Sequence, residues 1–218
     1  MSTDTEREKQ LAGEAAADLL EDGMKVGLGT GSTAGHFLRA LAARGLDLEC
    51  VATSPATEAA ARDLGLRVAP FAAGETLARL DIAVDGADQV ARDRWVVKGG
   101  GGAHTREKVV AAAAERFVVI VSSDKLVDEL APPIPLELLA FGAAATVARL
   151  GTVRLRDAQT TPDGGVLADW IGSVADPAEL AALLSWTPGI VEHGLFPPDL
   201  VSEVLVGRYD SVERLTPA

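Results

Sequence analysis

Two stretches of the sequence carry side chains able to take a proton from carbon and stabilise the charge left behind. In "KGGGGAHTRE", Lys98 precedes four consecutive glycines and Glu107 lies just beyond them. A lysine offers a point charge and three donors to an oxyanion or a phosphate. A glutamate held out of water and correctly aimed can remove a proton from carbon. In "DGAD", Asp85 and Asp88 flank Gly86 and Ala87, and the spacing around a turn lets both carboxylates face one cavity. Each residue also has a plainer use. An acid in a first helical turn suits the helix dipole, and aspartates often cap or form Asx-turns. Taken alone, Glu107 reads as structural, whereas two aspartates after the apolar "DIAV" run favour chemistry.

A third stretch, "GLGTGSTAG", offers backbone amides and a helix start to an anion, with Thr30, Gly31, Ser32 and Thr33 at its centre. It lacks the G-K-[S/T] of a Walker loop and the third glycine of a dinucleotide fingerprint. Gly99, Gly100 and Gly101 present bare backbone, at the expense of extra backbone entropy on folding. Lys125, in "SSDKLV", follows another apolar run. His104 reads as a partly exposed histidine, and His36 and His193 show no partner pattern.

The elements that must position these groups alternate. Residues 3 to 22 carry a helical repeat, "MKVGLG" reads as a buried strand, and "STAGHFLRALAARG" as a second helix. "LECVATS", "LRVAP", "LDIAVDGAD", "RWVVKGGGG" and "RFVVIVSSDK" read as strands, with helices over "PATEAAARDLG" and "AHTREKVVAAAAE". Such alternation predicts an α/β fold of βαβ units with a mostly parallel sheet. Four clusters, at 29–34, 53–57, 85–88 and 98–102, each follow a strand. They are therefore expected on one edge of one sheet, beyond the strands' carboxyl ends.

Beyond about residue 128 the pattern changes to α+β. A hairpin is expected around "TPDGG", and a helix over "DPAELAALLSWTPG" with Asp176 as its cap. The division expected is 1–128 plus 204–218 for the catalytic domain, with 129–203 as a smaller α+β domain. The final "LVSEVLVGRYDSVERL" carries a strand able to rejoin the first sheet.

Composition narrows the partners. With 20 Lys and Arg against 32 Asp and Glu the net charge is −12, and no basic run marks nucleic-acid binding. Apolar residues make up 48% of the 218, enough for a sizeable core. The single cysteine, Cys50, permits no intrachain disulfide and fits a reducing compartment. No Cys/His group has zinc spacing, and no apolar run reaches the roughly 18 residues of a membrane span. The charged start lacks a secretory h-region. A cytoplasmic enzyme is expected.

In their order and spacing, "GLGTGSTA", "TSPAT", "DGAD", "KGGGGAHTREK" and "SSDK" resemble the type A ribose-5-phosphate isomerases, and "PIPLELLAF" and "TPGIVEHGLF" extend the match from about Lys9 to about Gly207. The resemblance implies a Rossmann-like domain with an inserted ferredoxin-like domain. It also implies interconversion of D-ribose 5-phosphate and D-ribulose 5-phosphate in the pentose phosphate pathway, without metal or nucleotide cofactor, by a homodimer or homotetramer. It casts Glu107 as the base shuttling a proton between C1 and C2, and Lys98 as the partner of the enediolate oxygen. Asp85 and Asp88 would handle hydroxyls and ring opening. The loop from Thr30 to Thr33 and Lys125 would contact substrate, and Lys9 is a candidate for the phosphate. Three positions depart from the family pattern: Gln89 for glutamate, His104 for an apolar residue, and "TPDGG" for a "DNGN"-like turn. A phosphogluconolactonase, an amino-sugar-phosphate deaminase and a non-catalytic sugar-phosphate sensor are the competing readings.

Overall fold

The computed structural model describes residues 3–74 and 77–216. In chain order its elements are α1 (Thr3–Ala17), β1 (Lys25–Leu28), α2 (Ser32–Ala43), β2 (Glu49–Ala52), α3 (Pro55–Asp63), β3 (Leu80–Asp85), β4 (Gln89–Ala91), β5 (Val96–Val97), α4 (His104–Ala113) and β6 (Ala114–Ser122). Then follow β7 (Leu126–Val127), β8 (Ile134–Leu138), α5 (Ala143–Leu150), β9 (Val153–Leu155), β10 (Val166–Trp170), α6 (Pro177–Ser185), β11 (Ile190–His193), β12 (Leu195–Phe196), β13 (Glu203–Arg208) and β14 (Ser211–Leu215). They divide into two compact units. The first comprises Met1–Ala87, Arg106–Lys125 and Asp199–Ala218, and the second Asp88–Thr105 and Leu126–Pro198.

In the first unit six strands lie in the order β14-β13-β6-β3-β1-β2, parallel throughout except for the β13–β14 pair. The C-terminal strand β13 thus rejoins the sheet beside β6, as its sequence suggested. Residues alternate between the two faces. Val26, Leu28, Ile82, Val84, Val118 and Ile120 share one buried core with Ala12 and Ala16 of α1, Leu20 just beyond it, and Phe37 and Leu41 of α2. Gly27 and Ala83 turn to the other face, where a Cβ on Gly27 would lie 2.4 Å from Val110 Cγ1 of α4. Helices therefore cover both faces, as apolar strands in a parallel sheet require. The register aligns Leu28 with Ala52 and with Val84, so β1, β2 and β3 end together.

The second unit holds two four-stranded sheets, β11-β8-β10-β9 and β12-β5-β4-β7. The first of these is antiparallel throughout, and with α5 and α6 it follows the β-α-β-β-α-β order of ferredoxin-like units. Ile134, Leu136, Leu138, Ala168, Leu180 and Leu184 belong to its core. The expected hairpin joins β9 and β10. Asp176 caps α6, its Oδ1 accepting from the amides of Ala178 (3.0 Å) and Glu179 (2.9 Å). Residues 88–105, which a division at 128 and 204 keeps with the first domain, instead pair with strands of this unit.

Two elements are shorter than their sequences suggest. The first helix stops at Ala17, because the Arg44 guanidinium takes the Ala17 and Leu20 carbonyls while the chain tightens into turns. "LRVAP" contributes a single bridge, Val68 to Cys50.

Candidate active site

In the first unit three of the four sequence clusters, at 29–34, 53–57 and 85–88, begin at the carboxyl ends of parallel strands. The strand order 2-1-3 reverses direction at β1 and β3, and ligands of open α/β sheets bind at such a switch point. The loop of residues 29–31 leaves β1 there, and Asp85 ends β3. The Asp85 carboxylate is buried and accepts from the amides of Thr30 (3.0 Å) and Gly86 (2.7 Å) through the same Oδ1. A Cβ on Gly29 would sit 2.1 Å from that oxygen, so glycine is required where this carboxylate packs on the loop. Gly31, at φ 112°, precedes α2 and provides no side-chain cap, so the first amides of α2, from Ser32 and Thr33 onward, have no capping side chain.

The Thr30 hydroxyl points elsewhere. Its Oγ1 lies 2.8 Å from Thr53 Oγ1, 2.9 Å from Ser54 Oγ and 3.0 Å from Thr57 Oγ1, and Thr57 in turn donates to the Gly29 carbonyl. "TSPAT" is thus the brace of the β1 loop, with Ser54 also capping α3 by accepting from the Thr57 amide (3.1 Å).

Lys125 closes a short 3-10 turn, Ser123–Lys125, directly after β6. Glu8 of α1 is tied to that turn and to the end of β13. Its Oε2 accepts from Ser123 N (2.9 Å) and Oγ (2.7 Å), and its Oε1 from Tyr209 N (3.0 Å). Burial pushes the Glu8 carboxyl up, but the hydrogen bonds from Tyr209 and Ser123 outweigh it and hold the group below the ordinary carboxylate range. Glu8 thereby brings its neighbour Lys9 to the carboxyl edge of the sheet. Lys9 is buried and donates to Glu6 at 2.9 Å. Glu107 occupies the first turn of α4 and is 5% exposed.

The remaining predicted residues lie in the second unit. Lys98 follows β5, is 2% exposed, and sets its Nζ 5.7 Å from the centroid of the Phe196 ring. Its amide donates to the Gly194 carbonyl at 2.9 Å. Asp88 is exposed and takes the Gly100 amide on Oδ2 at 2.7 Å. One expectation needs correction: "KGGGG" follows a strand of the β12-β5-β4-β7 sheet, so the four clusters do not all leave one sheet. Asp85, Gly86 and Ala87 belong to the first unit, and Asp88 opens the second. Every other predicted contact residue has a defined place: Thr30 and Gly31 on the β1 loop, Ser32 and Thr33 at the start of α2, and Gly99, Gly100 and Gly101 in the glycine run.

The four glycines differ in need. Gly99 (φ +99°) and Gly102 (φ +80°) adopt conformations that disfavour side chains, and a Cβ would meet the His104 ring and Leu167 respectively. Gly100 lies against Asp88, where a Cβ would fall 2.8 Å from Oδ1, while Gly101 faces open space. Among the described residues no group of three or more His, Cys, Asp or Glu side chains is arranged to hold a metal ion.

The family model for ribose 5-phosphate isomerase A (phosphoriboisomerase A) matches residues 49–211. The chain belongs to the ribose 5-phosphate isomerase A family. It is 45% identical to a ribose-5-phosphate isomerase A of Caulobacter vibrioides over 233 aligned positions, covering 100% of both chains. Its fold matches a ribose 5-phosphate isomerase A from Methanocaldococcus jannaschii with a TM-score of 0.88 at 32% identity, over 96% of this chain and 98% of the other. A D-ribose-5-phosphate isomerase in complex with phospho-erythronic acid matches with a TM-score of 0.89 at 31% identity, over 96% and 97%.

Set in the ribose 5-phosphate isomerase A family, the three departures have structural readings. Gln89 both donates to the Ala131 carbonyl (2.7 Å) and accepts from the Ala131 amide (2.9 Å), a pairing for which an ionised glutamate lacks the donor. His104 is fully buried against Gly99 rather than partly exposed, so it fills the space of an apolar residue. In "TPDGG", Thr161 accepts from the Gly165 amide and donates to Glu137, closing the turn. Arg156 and Asp169 stand outside every motif of the sequence, yet they meet at 2.6 Å and Arg156 reaches the glycine run.

Proposed function

We propose that the chain interconverts D-ribose 5-phosphate and D-ribulose 5-phosphate through a cis-enediolate, with Glu107 as the base. The observation that carries this reading is that a member of the ribose 5-phosphate isomerase A family keeps both Glu107 and Lys98 and buries both. In the open-chain aldose, Glu107 takes the proton from C2. The electron pair forms the C1–C2 double bond and charge develops on O1, where Lys98 offsets it. A proton passes from O2 to O1 with Asp85 and Asp88 as partners of the hydroxyls. Glu107 then returns its proton to C1, leaving the ketone at C2. Nothing is oxidised overall, and each proton taken from one atom of the sugar is matched by one returned.

The β1 loop, Thr30 to Thr33, and the amides of Gly99 to Gly101 line the sugar in this reading. Given its hydroxyl bonds, Thr30 serves through its position in the loop. Lys9 and Lys125 offer cations to the phosphate from the carboxyl edge of the parallel sheet. Phospho-erythronic acid, bound in a homologous enzyme, carries a phosphate and a planar carboxylate of the enediolate's shape, which suits such a site. A cytoplasmic location and a homodimer or homotetramer complete the proposal. No described helix is long and apolar enough to cross a membrane.

The test is a direct assay of the purified chain with ribose 5-phosphate, 6-phosphogluconolactone and glucosamine 6-phosphate. Isomerisation of the first alone, inhibited competitively by phospho-erythronic acid, is expected. Hydrolysis of the lactone or release of ammonia, without isomerisation, contradicts the reading. Tight ribose 5-phosphate binding with no exchange at C2 also contradicts it, in favour of a sensor.

A further inference from the structure

The second unit contains a buried ion pair whose polar contacts lead to the glycine run. Arg156 follows β9, and its Nε and Nη2 donate to Asp169 Oδ1 of β10 at 3.0 and 2.6 Å. Its Nη1 donates to two consecutive carbonyls, Gly99 (3.0 Å) and Gly100 (3.2 Å). Side-chain exposures of 18% and 9% leave the pair little water. The backbone amide of Arg156 is itself fixed, donating to the Leu167 carbonyl at 3.0 Å.

A trans peptide points its C=O and N–H in opposite directions. The Gly99–Gly100 peptide is therefore held from both sides, its oxygen on Arg156 and its N–H on Asp88 at 2.7 Å. The next peptide has its oxygen on the same guanidinium, so the Gly101 N–H turns away from Arg156. Gly101 is exposed there, with nothing within 4 Å of a Cβ. Four glycines would otherwise sample many conformations beside Lys98. The guanidinium engages Asp169 through Nε and Nη2 and two carbonyls through Nη1, a planar spread of donors that the single nitrogen of a lysine does not reproduce.

We infer that Arg156, held by Asp169, is a positioning residue that fixes the glycine run next to Lys98 and aims the Gly101 amide. The inference rests on the isomerase reading for its catalytic consequence, but not for the clamp itself. Amide hydrogen exchange on the substrate-free protein reads the clamp directly. Arg156→Lys is expected to speed exchange at Gly100 about tenfold while core strands keep their protection. Unchanged exchange at Gly100 overturns the clamp.

Steady-state kinetics read the consequence. The same variant is expected to lose about 10- to 100-fold in kcat, as small displacements of reacting groups do, with a smaller change in KM. The double variant Arg156→Met, Asp169→Leu removes both charges together and so leaves no buried charge unpaired. It is expected to fold with a melting temperature near the wild type and still turn over slowly. Wild-type kcat in both variants overturns the positioning role. An inactive wild type would instead refute the isomerase reading, with the exchange experiment still deciding the clamp.

Discussion

The Asp88 carboxylate and the Gly100 amide are joined by a 2.7 Å hydrogen bond across twelve residues of sequence. One side chain therefore fixes the loop that follows Lys98 while staying exposed enough to meet a ligand. Asp88→Asn separates the two duties, because an amide oxygen still accepts from Gly100. We expect its melting temperature to stay within a few degrees of the wild type, and turnover to fall on the order of 100-fold, the low end for a lost acid–base group. Undiminished turnover would reduce Asp88 to a loop cap.

Gly29 and Gly101 make a matched pair of tests. An alanine Cβ at Gly29 would lie 2.1 Å from Asp85 Oδ1, whereas at Gly101 it meets nothing within 4 Å. Gly29→Ala is expected to destabilise by about 1–3 kcal/mol, as overpacking does, and to displace the Asp85 carboxylate. Gly101→Ala should alter stability by less than about 0.5 kcal/mol. Thermal denaturation of both decides. Equal melting temperatures would contradict the packing of Asp85 on the β1 loop.

Glu8 links α1 to the ends of β6 and β13, and its folded-state carboxyl titrates below the ordinary range. A lowered carboxyl contributes stability that is present above the unfolded-state pKa of about 4.3 and lost as pH falls through the folded value. Glu8→Gln should therefore destabilise by about 1–3 kcal/mol at pH 7, since charged hydrogen bonds are lost. The difference should shrink as the pH is lowered below about 4. Urea denaturation of both proteins across this range checks it. A gap that stays constant into acid would contradict the account.

Much of the fold was legible because its signals are local. Apolar runs such as "DIAV" and "FVVIV" became central parallel strands, and Asp176 and Pro177 opened α6 where the sequence placed them. What sequence could not convey was pairing between distant segments. The strand before the glycines is two residues, Val96 and Val97, and its sheet is decided by Leu195 and Phe196, nearly a hundred residues on. The division of the chain between Ala87 and Asp88 has the same origin. Arg156, just after β9, meets Asp169 on the neighbouring β10 with no motif to join them. His104 was misread because a histidine beside glycines suggests an open loop, whereas Gly99 leaves the space that its ring fills.

The central claim is that Glu107 moves the proton between C2 and C1. Its most direct test is Glu107→Gln, assayed with [2-²H]ribose 5-phosphate for turnover and for loss of deuterium from C2. A glutamine keeps the size of the buried side chain but cannot accept the proton. The account predicts a folded protein that binds phospho-erythronic acid, with turnover and deuterium loss reduced at least about 1,000-fold. Isomerisation or C2 exchange near the wild-type rate would contradict it.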